Sequence, residues 1–82
     1  MIELLAKAPD KTSALAYLEA VARSDMQYVT AEDWGGDTSA AFHFNMRFAF
    51  EDSKQAAQDA ASAFGVSFID PAAIQTRENV WA

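Results

Sequence analysis

His43 is the single histidine of the chain, and no cysteine accompanies it, so proton transfer near neutral pH would have to begin at this imidazole. The lack of cysteine excludes a thiolate nucleophile, a disulfide framework, a zinc finger and an iron–sulfur site. The carboxylates offer a second kind of chemistry. Glu32, Asp33 and Asp37 crowd around Trp34-Gly35-Gly36, and Asp25, Glu51 and Asp52 form a second acidic group. The first group lacks the alternating ligand positions and terminal glutamate of a calcium loop, so neither a metal site nor a cofactor is expected. Acids at a hairpin tip can simply keep it soluble and discourage edge pairing. A tryptophan on a glycine turn ringed by negative charge also suits anchoring to a basic surface, because Trp is enriched at binding hot spots and acidic neighbours steer the encounter.

Twelve Asp and Glu stand against six Lys and Arg, a formal net charge of −6 in 82 residues. Affinity for phosphates needs clustered Lys and Arg; these six are scattered, which argues against direct nucleic-acid binding. No apolar run approaches the ~18 residues of a membrane span, and Met1-Ile2-Glu3-Leu4-Leu5 lacks the basic region of a signal peptide. The expectation is a cytoplasmic protein. Hydrophobic residues make up 51%, enough for one compact core, so residues 1–82 are read as a single domain.

The elements that position these groups start from the middle. Between Ala40 and Phe50 the even positions are Ala40, Phe42, Phe44, Met46, Phe48 and Phe50, and the odd ones are Ala41, His43, Asn45, Arg47 and Ala49. This period of two predicts a strand with a buried phenylalanine face and a wetter face. Asp25 to Trp34 is strand-like in composition and runs into Gly35-Gly36-Asp37, which suits a hairpin turn. With a two-residue loop of Gly35 and Gly36, Val29 pairs with Phe42 and Tyr28 with His43. Val29 and Ala31 then join the phenylalanine face, while Met26, Tyr28, Thr30, Glu32 and Trp34 join His43, Asn45 and Arg47; a three-residue loop flips one strand's assignment.

Asp10 is read as the N-cap of a helix carrying Ala14, Leu15, Leu18, Val21 and Ala22 and ending by Ser24. A second helix is expected from Asp52 or Ser53, with Asp52 and Gln55 as a capping box, an apolar stripe of Ala56, Ala57, Ala60, Ala61 and Phe64, and Gly65 at its end. Ile2 to Ala6 and Val66 to Ile69 are short strands. After Pro71, Ile74 to Trp81 is open to being an added edge strand, a short helix with a strand, or a tail, with Trp81 packed on the sheet edge. The order strand, helix, strand, strand, helix, strand is the α+β, ferredoxin-like βαββαβ order, an antiparallel sheet with two helices on one face.

That order alone carries no function. Small dimeric ferredoxin-like enzymes, antibiotic-biosynthesis monooxygenases and lactone isomerases among them, resemble the expected arrangement in fold and polar sheet face. This resemblance implies a homodimer with a ligand or catalytic cavity around Tyr28, His43, Asn45 and Arg47. Acylphosphatases share the order, but Lys7-Ala8-Pro9-Asp10 lacks their glycine-rich phosphate loop. RNA-recognition motifs stack bases on an open aromatic face rimmed by basic residues; here the phenylalanines are expected under the helices and the charge has the wrong sign. In size, acidity and lack of a catalytic motif the chain is similar to small phage-encoded inhibitors of bacterial defence, anti-CRISPR proteins included, a likeness of class that rests on no residue motif. The leading expectation is therefore a non-enzymatic, nucleic-acid-mimicking binding protein that blocks a basic, nucleic-acid-binding surface of a larger protein in the cytoplasm. Its contact residues are expected to be Glu32, Asp33, Trp34, Asp37, Tyr28 and Glu51.

Overall fold

A computed structural model describes residues 2–30 and 41–69. The elements are strand β1 (Ile2–Ala8), helix α1 (Lys11–Val21), strands β2 (Gln27–Thr30) and β3 (Phe42–Phe48), helix α2 (Glu51–Ala60), a 3₁₀ turn (Ala61–Phe64) and strand β4 (Ser67–Ile69). They build an α+β unit whose four-stranded sheet has the order β2-β3-β1-β4. Every neighbouring pair is antiparallel. β1 and β2 therefore run parallel with β3 between them, and β3 and β4 run parallel with β1 between them.

The alternation in β3 sets the core. Phe42, Phe44, Met46 and Phe48 are all buried, and their register partners Ala8, Ala6, Leu4 and Ile2 on β1 share their face. Ala14, Tyr17 and Leu18 of α1 and Ala57 of α2 close over this face, joined by Ala61 of the 3₁₀ turn. Small alanines on helices and on β1 accommodate the large rings, the complementarity that dense interiors require. Phe50, expected at the end of the buried row, lies beyond the end of β3 and is 66% exposed. The strand stops two residues earlier because the chain turns there into α2.

Tyr17 is the keystone between the helices. Its ring lies 5.9 Å from Phe44 and 5.8 Å from Phe64, centroid to centroid. Its hydroxyl donates to the Ala57 carbonyl at 2.6 Å, the acceptor an unbroken α-helix would offer to the Ala61 N–H. That N–H instead donates to the Gln58 carbonyl as the helix tightens into the 3₁₀ turn. Burial pushes the Tyr17 hydroxyl up to about 12, since a phenolate is poorly solvated there.

The two helices begin differently. Asp10 caps α1 as expected, its Oδ1 accepting from the Ser13 N–H at 2.7 Å. α2 starts at Glu51, one residue before the expected Asp52, and its own N-cap residue, Phe50, supplies no side-chain bond. Asp25, in the α1–β2 connection, serves in place of the expected Asp52–Gln55 box. Its carboxylate accepts from the N–H groups of Ala49 and Phe50 at 3.2 Å each, and from the Ser53 hydroxyl at 2.9 Å. Gly65 ends the 3₁₀ turn at φ +70, and a Cβ there would stand 3.1 Å from the Pro9 side chain. Both facts favour glycine.

The register of β2 corrects the expected face map. Tyr28 pairs with Met46 and Val29 with Asn45, not with His43 and Phe42. Tyr28 and Thr30 therefore share the helix-side face, and Gln27 and Val29 share the other with Arg47 and Asn45. The shift from the expected pairing is three residues, and an odd shift exchanges faces. Tertiary packing accounts for it: Thr30 becomes buried, Met26 packs against the core, and Gln27 meets Arg47, whose Nε donates to its Oε1. The expected Gly35-Gly36 turn, Ala31, Ala40 and the segment after Pro71 lie outside the described residues.

Candidate functional site

Among the expected contact residues, Tyr28 and Glu51 lie within the described structure; Glu32, Asp33, Trp34 and Asp37 lie outside it. Tyr28 stands on edge strand β2 and is 47% exposed. With Leu15, Leu18 and Glu19 of α1 and Ala22 at its C-cap it lines a shallow groove of about 360 Å³. Leu15, expected in the apolar stripe of α1, is 40% exposed at this groove. The inward position of the stripe belongs instead to Tyr17. Two large partly exposed side chains, one aliphatic and one phenolic, thus stand beside one carboxylate at this edge.

Glu51 is exposed at the first position of α2, where its Oε1 meets Lys54 Nζ at 2.8 Å. An i,i+3 pair on a helix surface, here with Glu51 exposed and Lys54 half-buried, adds little stability. The expected gathering of Asp25 with Glu51 and Asp52 is found, since Asp25 caps the helix that opens with the other two. Their roles differ. Desolvation acts to raise the Asp25 pKa, but the hydrogen bonds from Ser53 and from the Phe50 and Ala49 N–H groups outweigh it and hold the carboxyl below its ordinary value. Asp25 is thus committed to the fold, while the Glu51 and Asp52 side chains face solvent. Local sequence rules missed this role because the acceptor and the helix it caps are 28 residues apart.

The residues of the expected sheet-face cavity do not all meet. His43, Asn45 and Arg47 occupy the face away from the helices, whereas Tyr28 is on the helix side. Lys7 is the β1 partner of His43. Asn45 is fully buried, whereas His43 and Arg47 are half-buried, and Lys7 beside His43 is exposed. Among the described residues no group of three or more His, Asp or Glu side chains is placed to hold a metal ion. No helix among them is long and apolar enough to cross a membrane.

Fold and site together define a small acidic α+β unit with an antiparallel four-stranded sheet, two helices and an aromatic groove at a sheet edge. No family model matches the chain, and no significant match to a curated protein or a solved structure is found.

Proposed function

We propose that the chain is a non-enzymatic binding protein that occupies a basic surface of a larger protein, one that otherwise holds nucleic acid, as a phage-type inhibitor of bacterial defence would in a host cytoplasm. The observation that carries this reading is the exposed Tyr28 and Leu15 groove on a strand that leads directly into the most acidic stretch of the sequence. Residues 31–40 hold Glu32, Asp33 and Asp37 with no Lys or Arg, and Trp34 among them. An aromatic anchor next to concentrated negative charge suits a positive groove that binds phosphates. The separation of Tyr28 from His43 favours this reading over a catalytic cavity on the sheet face.

The architecture that supports these residues is proposed to be ferredoxin-like. Read from its other edge the strand order is β4-β1-β3-β2, with each helix joining parallel strands across one intervening strand. An additional strand from the C-terminal segment is compatible with it.

The test is capture from bacterial lysate on the tagged chain, beside Asp33→Lys/Asp37→Lys and Tyr28→Ala variants, at low and high salt. A captured nucleic-acid-binding protein should be displaced from a labelled oligonucleotide by the chain. Displacement should weaken at least tenfold in the charge-reversed variant and fall with salt. Displacement that is indifferent to both variants and to salt would overturn the proposal.

A further inference from the structure

Strand register sets His43, Lys7 and Ser67 side by side in one row across β3, β1 and β4, on the sheet face away from the helices. Just beyond the ends of these strands stand Pro9, Ala41 and Gly65. All three are short, and Gly65 lies so close to Pro9 that a Cβ there would stand 3.1 Å from the proline ring. The surface therefore falls away beside the row. The recess holds about 200 Å³ and is lined by Lys7, Ala8, Pro9, Ala41, Gly65 and Ser67. Among these described residues the polar side chains are an ammonium and a hydroxyl, with no carboxylate, and His43 adds an imidazole from the same row.

These three side chains are open to a ligand. Lys7 and Ser67 are exposed and His43 is half-buried, and none of them has an ion pair or a side-chain hydrogen bond with another described residue. Arg47, on the same face, differs: its Nε donates to Gln27 Oε1, and its β1 partner is Glu3. Asp10, the acid nearest to Lys7 in sequence, already accepts the Ser13 N–H at 2.7 Å as the cap of α1. What remains is a set of donors: three ammonium N–H bonds, a hydroxyl and an imidazole N–H.

We propose that this recess binds a small phosphate monoester carrying a short carbon chain. Neighbouring strands lie ~4.8 Å apart, so donors from three of them suit a group with three terminal oxygens better than a carboxylate with two. Lys7, in the centre, supplies the charge that makes its hydrogen bonds to such oxygens about twice as strong as neutral ones. Ser67 and His43 donate from either side. The apolar atoms of Ala8, Pro9 and Ala41 take the carbon chain. The recess is smaller than the ~300–1,000 Å³ of sites for drug-sized ligands, which leaves no room within it for a base and a sugar. It lies on the opposite face from Tyr28 and is independent of the groove there.

Titration of the labelled intact chain with propyl phosphate, followed by NMR at constant ionic strength, tests the site. Saturable shifts are expected at the amides of Lys7, Ala41 and Ser67 and at the His43 ring. Lys7→Gln should weaken binding about tenfold and Ser67→Ala about threefold. Both positions are exposed, so neither substitution opens a cavity. Lys11→Gln, outside the recess, should leave the affinity unchanged, and adenosine monophosphate should bind no more tightly than propyl phosphate. The proposal would be overturned by shifts that are absent or scattered over the surface, or by an affinity unchanged in both Lys7→Gln and Ser67→Ala. Butyrate or inorganic phosphate binding as tightly as propyl phosphate, or adenosine monophosphate binding more tightly, would equally overturn it.

Discussion

The two faces of this sheet are made from alternate residues of the same strands, and they are built for different neighbours. Toward the helices, β1 and β3 present Ala6, Ala8, Phe42, Phe44, Met46 and Phe48, all buried and none charged. Away from them, the same strands present Glu3, Lys7, His43 and Arg47 around a buried centre of Leu5 and Asn45. The helix side is apolar along the whole length of the strands. The other side is apolar only along one row across them. The two helices cover the first face; among the described residues no element lies over the second.

Cavity-forming substitutions test this contrast most severely. Phe44→Ala should destabilise the chain by ~3–5 kcal/mol in urea unfolding, because the ring contacts Tyr17 in the densest part of the core. Leu5→Ala should cost about 2–4 kcal/mol if its face is as closed as its exposure indicates. A cost below ~0.5 kcal/mol would instead put Leu5 in water and leave the sheet with only one buried face.

Tyr17→Phe probes the bond between the helices without opening a cavity. It should cost ~1–2 kcal/mol, since the buried Ala57 carbonyl loses its hydroxyl donor. It should also change the alkaline limb. The hydroxyl is neutral in the fold and its pKa is raised from 10.0 to about 12, so its contribution is complete below pH 10 and lost as pH rises from 10 toward 12. The Phe variant should lack that loss in a pH series of melting temperatures.

Asp25→Ala acts at the acid end with the opposite sign. The folded carboxyl titrates below its ordinary value of 3.8, so its contribution is present above that pH and disappears as pH falls through the folded pKa. The variant should melt at lower temperature at pH 7 and converge with the parent chain at low pH. The smallest effect on stability belongs to the groove. Leu15→Ala and Tyr28→Ala should each change it by no more than about 0.5 kcal/mol, while weakening displacement of nucleic acid from the captured partner. Equal displacement by parent and variants would separate the groove from function.

How far the sequence could be read follows from the distance over which each feature is decided. The phenylalanine row of β3 and the Asp10 cap rest on neighbours within a few residues, and both were legible. Tyr17 sits three residues after Ala14, so its burial was within reach of spacing, but the partner of its hydroxyl is 40 residues away. Leu15 and Ala22 fit the same periodicity and misled because the stripe on α1 extends past the core into the groove. The face of Tyr28 depended on the register of β2, which two glycines in a turn do not determine. Asp52 satisfied a local capping rule, whereas Asp25 holds the helix from another part of the chain. Trp34 and its acidic neighbours stand together in the sequence and fall outside the described residues.

The borrowed cap of α2 makes the chain a natural candidate for fragment complementation. A cut within residues 31–40 would leave Asp25, Tyr17 and Gln27 on one piece and their partners Phe50, Ala57 and Arg47 on the other. Neither piece alone completes the helix start, the inter-helix bond or the β2–β3 pairing. Reassembly of the two would restore all three together, and a reporter divided between them would register their meeting rather than the folding of either half.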